Sequence, residues 1–234
     1  MVKIDLITGF LGSGKTTFLK KYAKRLMEQG QNIGILENDF GAVNVDMMLL
    51  QELEGEQCEL EMISGGCDPE THRRRFRTKL IAMGMCGYDR VLVEPSGIYD
   101  MDEFFDVLHE EPLDRWYEIG NVIAVVDARL EDALSPEAEY LLASQAANAG
   151  CMILSKCDTA TEEQRRNTIA HLKRSLTALG CKQRADQKVL CEGAEPLPDQ
   201  DFATILSCGY HIASYEKPDF AKGQSFESLY FLDM

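Results

Sequence analysis

Residues 3–30 read KIDLITGFLGSGKTTFLKKYAKRLMEQG, and three successive patterns within them decide the fold. KIDLIT (3–8) has the apolar run of a buried strand, GFLGSGKTT (9–17) is a glycine-rich turn, and KTTFLKKYAKRLMEQG carries apolar residues at helical spacing and stops on Gly30. The turn matches G-x-x-x-x-G-K-[ST] through Gly9, Gly14, Lys15 and Thr16, and it lies where that pattern has a mechanism, between a strand and a helix. Glycines there, Gly12 included, let the backbone aim its N–H groups inward around phosphate oxygens, and the helix start adds positive potential. Ser13 and Thr17 belong to the same cradle, Lys15 neutralises charge on the phosphates, and Thr16 offers its hydroxyl to magnesium. The competing reading is a glycine turn with a solvated lysine, and the strand–loop–helix register argues against it.

Working outward, apolar runs recur at 32–37, 58–63, 90–94, 121–127 and 151–155, separated by amphipathic stretches. Strands alternating with helices predict an α/β fold of the P-loop NTPase type, a doubly wound and mainly parallel sheet. TEEQRRNTIAHLKRSLTALG (161–180) is expected as a helix with Thr161 as its N-cap and Gly180 as its stop. The acidic run 99–118 predicts an amphipathic helix and loop with Phe104, Phe105 and Leu108 inward and a structural His109. Three segments are expected: a phosphate-binding domain over 1–181, a linker rich in proline, glycine and charge over 182–201, and a short or truncated C-terminal α+β extension over 202–234. In the last of these, FATILSCGYHIASYE (202–216) reads as a short helix and a strand, and SFESLYFLDM (225–234) as a strand-like end.

Composition narrows the function. The chain of 234 residues is 45% hydrophobic and 27% charged, as a globular protein is, and sets 24 Lys+Arg against 39 Asp+Glu for a net charge of -15. Nucleic-acid binding needs clustered positive charge and is not expected. No apolar run reaches the roughly 18 residues of a membrane span, and MVKIDLITGF enters a strand directly, without a signal-peptide pattern. The 8 cysteines lie apart, without a C-x-x-C pair, which suits reduced thiols and a cytoplasmic protein.

Two further strand ends bear on nucleotide chemistry. RVLVE closes on Glu94, placed to act near magnesium, and PSG follows, with the Gly97 amide able to face a γ-phosphate. ILSKCD (153–158) is similar to the guanine signature N-K-x-D, with Ser155 in place of the asparagine. Asp158 would accept hydrogen bonds from guanine N1–H and the 2-amino group, whereas adenine N1 presents a lone pair and would be repelled. Lys156 would lay its alkyl stem along the base, and Ser155 retains one hydrogen bond toward the phosphate loop. A surface Ser-Lys-Cys-Asp turn is the plain alternative.

With TGFLGSGKTT, ENDFGAVNVD (37–46), EPSG and SKCD in this order, residues 3 to about 160 resemble the CobW-like branch of P-loop GTPases, relatives of the UreG and HypB metallochaperones. The resemblance implies GTP and GDP as ligands with magnesium, a switch segment that brings Asp39 near the metal and the γ-phosphate with Asp46 nearby, and slow hydrolysis until a partner docks. It also implies delivery of a transition metal to a client metalloprotein, or an activating protein as partner. SGGCDPE (64–70) falls where the family carries G-C-x-C-C, keeping Gly66 and Cys67 but placing Pro69 and Glu70 where further thiols would stand; Ala42 replaces an expected acid, while Glu37 remains. Thiolates hold zinc, cobalt or nickel, and one cysteine is one ligand of three or four. A rebuilt set of Cys67, Glu70, His72 and Glu37 stands against a plain turn with Asp68 as N-cap and Pro69 at the first helical position.

The helix that would follow, PETHRRRFRTKLIAMG, is the most basic stretch of the chain. Arg73, Arg74, Arg75 and Arg77 read either as a solvated face balancing nearby acids, or as a docking face for an acidic partner, or as the source of one arginine that reaches the phosphates. No Ser-His-Asp set, H-E-x-x-H or catalytic cysteine pair supports covalent catalysis. The expected function is a magnesium-dependent, GTP-hydrolysing switch. Two rivals remain: an ATP-using P-loop kinase or ligase, and a nucleotide-sensing subunit with negligible turnover.

Overall fold

All six expected runs form strands in the computed structural model, which describes residues 1–39, 45–64, 69–96, 101–181 and 187–215. In chain order the elements are β1 (Val2–Thr8), α1 (Lys15–Glu28), β2 (Ile33–Asp39), α2 (Val45–Leu50), β3 (Cys58–Ser64), α3 (Pro69–Gly84), β4 (Arg90–Pro95) and α4 (Met101–Leu108). There follow α5 (Leu113–Trp116), β5 (Tyr117–Asp127), α6 (Pro136–Asn148), β6 (Cys151–Ser155), α7 (Glu162–Ala178), β7 (Lys188–Cys191) and α8 (Asp199–Leu206). The strands lie in the order β3-β2-β4-β1-β5-β6-β7, and every pairing is parallel. A parallel sheet buried on both faces requires apolar residues in both orientations, which is why its strands read as continuous runs.

Strand alternation sends the two sets of side chains into separate cores. Ile7, Ile33, Ile35, Leu92, Ile123 and Ile153 pack with Phe18, Tyr22 and Leu26 of α1 and with Phe202 and Ile205 of α8. On the other face Leu6, Leu36, Val91, Val93, Val122 and Leu154 meet Phe76 and Leu80 of α3, Phe104 of α4, Leu142 of α6 and Leu172 of α7. The sheet is therefore doubly wound, as expected. Phe104, Phe105 and Leu108 are buried, and His109 Nδ1 lies 2.6 Å from the Phe105 carbonyl oxygen in a local structural contact.

The expected linker is corrected. Within 182–201, residues 188–191 are β7, in register with β6 from Cys151↔Lys188 to Leu154↔Cys191, and Asp199 opens α8, which packs on α1. Main-chain pairing rather than an apolar run makes β7, whose side chains are exposed or half-buried. In the segment read as an extension the short helix is present as α8, but the strand expected after it is a single bridge, Tyr210 to Ala149. Residues 225–234 lie outside the described residues.

Helix α7 starts as its sequence dictates. Thr161 Oγ1 accepts from the Gln164 N–H at 3.1 Å, and Gln164 Oε1 accepts from the Thr161 N–H at 2.8 Å, a reciprocal capping box. Thr161→Ala is expected to lower stability by about 1 kcal/mol, read as a lower urea midpoint with an unchanged slope.

Two of the four arginines of α3 balance local acids. Arg73 pairs with Glu110 at 2.6 Å, and Arg77 reaches the same carboxylate at 2.9 Å and donates to the Glu111 carbonyl at 2.6 Å.

Candidate functional site

Glycine geometry builds the loop between β1 and α1. Gly9, Gly12 and Gly14 have φ of 146°, 72° and 90°, values that L side chains rarely adopt. A Cβ on Gly9 would also stand 2.2 Å from the Val125 carbonyl oxygen. The Ser13 N–H donates to the Phe10 carbonyl at 3.1 Å, and Gly14 is the N-cap of α1. Lys15, 6% exposed, turns its ammonium back over this loop and donates to the Phe10 carbonyl at 3.1 Å. Thr17 faces solvent.

The loop meets the ends of two other strands. Thr16 Oγ1 donates to Glu94 Oε1 at 2.8 Å, with both side chains buried. Glu37, also buried, is the Cα partner of Glu94 on the adjacent strand, so the two carboxylates share the α1 face. A hydroxyl and carboxylates are hard oxygen donors of the kind magnesium takes. Ser13 Oγ is buried without a hydrogen-bond partner among the described residues, so the cradle holds an unanswered polar atom. These features fit a phosphate group with magnesium. Asp39 closes β2 opposite Ser64 of β3, while Gly97 lies outside the described residues.

The base loop is fastened directly to the phosphate loop. Ser155 Oγ donates to the Ser13 carbonyl at 2.5 Å, the single hydrogen bond its sequence left available. Lys156 Nζ donates to the Gly12 carbonyl at 2.8 Å and to Asp127 Oδ2 at 2.7 Å. Lys156 has φ 56°, the one positive value outside glycine among the described residues, and such a conformation persists where its surroundings over-determine it. Burial opposes charge on Asp127, but hydrogen bonds from Arg129 and Lys156 outweigh it and hold that carboxyl below the usual range. Asp158 is exposed, and a Cβ on Gly193 would stand 3.3 Å from its own Cβ.

Several of these participants carried no sequence signal as site residues. Asp127 ends a buried strand at the same sheet edge as SKCD, which is the one hint available. Lys21 of α1 grips the segment after β7, with ion pairing to Glu192 and hydrogen bonds to the carbonyls of Gly193 and Glu195. Glu192 in turn accepts from the Cys157 N–H at 3.0 Å through its own carbonyl. The β7 segment thus forms one wall beside Asp158.

The transition-metal set is not assembled by the described residues. Among them no group of three or more His, Cys, Asp or Glu side chains is placed to hold a metal ion. His72 is buried with Nδ1 at 3.0 Å from Glu103 of α4, on the sheet face opposite to the one Glu37 shares with Glu94, and Glu70 is exposed. Cys67 and Asp68 lie outside the described residues.

A parallel doubly wound sheet whose first strand enters a glycine loop, with a loop hydroxyl bonded to an acid on a neighbouring strand, defines a P-loop nucleotide-binding domain. The chain belongs to the CobW/HypB/UreG family, whose nucleotide-binding domain matches residues 3–182. It is 28% identical over 172 residues to the zinc chaperone YjiA of Escherichia coli, covering 70% of this chain and 52% of that protein. With the Schizosaccharomyces pombe protein named zinc-regulated GTPase metalloprotein activator 1 it shares 24% identity over 168 residues, 69% of this chain and 40% of the relative. The chain thus spans about half the length, or less, of these relatives. Among solved structures, zinc-bound YjiA GTPase from E. coli superposes with a TM-score of 0.51 at 20% identity, covering 91% of this chain and 67% of that one. HypB from Helicobacter pylori in complex with nickel gives 0.53 at 16%, covering 86% and 82%; both likenesses concern the fold.

Proposed function

We propose that this domain binds GTP with magnesium and hydrolyses it slowly, as the switch of a protein that resembles metallochaperones of metallocentre or cofactor assembly. One observation carries the proposal: Ser155 and Lys156 bond to the carbonyls of Ser13 and Gly12, so the base loop is set at a fixed span from the phosphate loop. Asp158, two residues on, would accept from guanine N1–H and the 2-amino group, and the same carboxylate would disfavour adenine. Gly9, Gly12, Ser13, Gly14 and Thr17 would line the phosphates with main-chain N–H groups and hydroxyls. The Lys15 ammonium would neutralise charge that grows on the β- and γ-phosphate oxygens during in-line attack by water. Thr16, Glu94 and Asp39 would hold magnesium and its waters, and the Gly97 amide would face the γ-phosphate. Magnesium, when bound, would supply neutralisation of phosphate charge.

Slow turnover follows in this scheme because the described groups stabilise phosphate charge, while no described side chain is assigned to deprotonating water. A client metalloprotein or activating protein would complete the site. The relatives named zinc chaperones support a transition metal as cargo, zinc first, with cobalt or nickel as alternatives and Cys67 and Glu37 as candidate ligands. The domain would act in the cytoplasm; no helix of the described residues is long and apolar enough to cross a membrane.

The test is release of phosphate from GTP with and without magnesium, in the wild type and Thr16→Ala. The proposal expects magnesium-dependent turnover that falls at least about tenfold in the variant. Turnover indifferent to both the metal and the substitution would overturn it.

A further inference from the structure

Two cysteines that the nucleotide chemistry does not use meet at the edge of the base loop. Cys191 ends β7 opposite Leu154 of β6. Beyond Leu154 the chain passes Ser155 and Lys156 and returns at Cys157, whose N–H donates to the Glu192 carbonyl at 3.0 Å. On the other side of the same ladder, the Glu192 N–H donates to the Leu154 carbonyl at 2.7 Å. These two bonds hold the backbone on either side of the cysteines; Cys157 packs on the sheet face that carries Leu154 and Val189, the face to which strand alternation also assigns Cys191, and its thiol donates to the Leu154 carbonyl at 3.2 Å. Cys191 is exposed and Cys157 is half-buried, and neither is in a disulfide.

We propose that Cys157 and Cys191 are a modification site, a dithiol that closes to a disulfide by exchange with a small-molecule disulfide of the glutathione type. The exposed Cys191 loses its proton, and its sulfur attacks one sulfur of the reagent. The reagent's S–S bond breaks, one thiol leaves with a proton, and a mixed disulfide remains on Cys191. Cys157 then attacks the Cys191 sulfur, its proton leaving with the second thiol. Two protein thiols are oxidised and one small disulfide is reduced to two thiols, so atoms and electrons balance. Burial and the neighbouring Cys191 push the Cys157 thiol up to about 12, which suits it to the second, resolving step rather than to first attack.

The site differs from the other cysteines near one another. Cys208 packs against the core that holds Cys151, but Cys151 is fully buried beneath α8, out of reach of a solution oxidant. The bridge also has a consequence that rests on the GTP reading above. Cys157 lies between Lys156 and Asp158, so a bond to β7 would tie the base-reading turn to the wall that Lys21 already holds. Restricting that turn slows escape of a bound guanine nucleotide.

The experiment treats the full chain with oxidised glutathione, blocks remaining thiols, and maps disulfides by mass spectrometry after proteolysis. Release of a fluorescent GDP analogue is timed in the same samples before and after reduction. The expected result is a Cys157–Cys191 crosslink that reduction reverses, with nucleotide release about threefold slower in the bridged form. In Cys191→Ser, an exposed position outside the nucleotide machinery, neither the crosslink nor the slowing should appear. A glutathione adduct on Cys191 with Cys157 still free to alkylation, or a bridge that forms first between Cys151 and Cys208, would overturn the proposal. A Cys157–Cys191 bridge in a chain that binds no guanine nucleotide would uphold the thiol site and sink the nucleotide reading instead.

Discussion

Lys15→Ala should lower GTP turnover by about a hundredfold or more while leaving the fold nearly as stable as before. The ammonium is held over the glycine loop, 3.1 Å from the Phe10 carbonyl, and sits at the first residue of α1, where the helix start already favours anions. Its removal takes away the one mobile full positive charge that the loop sequence supplies to the phosphates. Alanine is a good helix former and places no unpaired group in the buried position, so the change in stability should stay within roughly 1 kcal/mol. The pair of measurements is steady-state phosphate release at saturating GTP and the urea midpoint. A variant that keeps wild-type turnover would remove Lys15 from the phosphate chemistry.

The second large effect concerns stability, within the strand that leads into the glycine loop. Asp5 is 0% exposed in the middle of β1 and accepts from Arg90 at 2.5 Å, from the Tyr22 hydroxyl at 2.7 Å and from the Asn121 N–H at 2.8 Å. A register shift between β1 and β5 falls at Asp5, and Gly120 gives the carboxylate room, since a Cβ there would stand 2.3 Å from Asp5 Oδ1. Asn121 extends the network to the turn after α8 by accepting from the Gly209 N–H at 2.9 Å. Asp5→Ala would leave the buried Arg90 guanidinium uncompensated, at an expected cost of about 3–5 kcal/mol. That is a large share of the roughly 5–15 kcal/mol of an ordinary domain.

Replacing Asp5 and Arg90 together with apolar residues of similar volume should recover much of that loss, because no buried charge then remains unpaired. Urea midpoints of the three chains decide it, and equal losses in the single and double variants would contradict the argument. Burial, with the charge of Asp5 adding to it, holds the Tyr22 phenol well above its ordinary range. A raised folded value means that its contribution is intact below the unfolded value of about 10 and is lost as the pH climbs from there toward the folded value.

The parts of this fold that could be read from sequence are those whose signal is local. KIDLIT, the glycine loop and the helix after it lie within 28 residues, and the periodicity changes where the structure changes. The capping box of α7 is legible for the same reason, since Thr161 and Gln164 are three residues apart. What escaped was made by distant partners. KVLC is a strand because β6 lies beside it, and its half-exposed side chains leave no apolar run in a polar stretch. Asp127 joins the site through a lysine 29 residues away, and Lys21 holds Glu192 across 171 residues. Asp5 and Arg90 were visible as charges within apolar runs, yet their pairing depends on β1 and β4 being neighbours, a fact of topology rather than of either segment.

Ser155 shows how such a distant contact reshapes an argument. It stands in place of the asparagine of N-K-x-D with one hydrogen bond to give, and its hydroxyl lies 2.5 Å from the Ser13 carbonyl, so the phosphate and base loops remain joined. Lys156 adds the second link through Gly12. The guanine assignment therefore depends chiefly on Asp158, whose carboxylate is exposed beside Gly193.

Competition of GTP and ATP for the magnesium-loaded chain, with hydrolysis of both followed in the same samples, addresses that assignment most directly. Strong preference for GTP that disappears in Asp158→Ala is the predicted result. Preference for ATP, or equal binding of both nucleotides by the unaltered chain, would contradict it and favour a P-loop kinase or ligase.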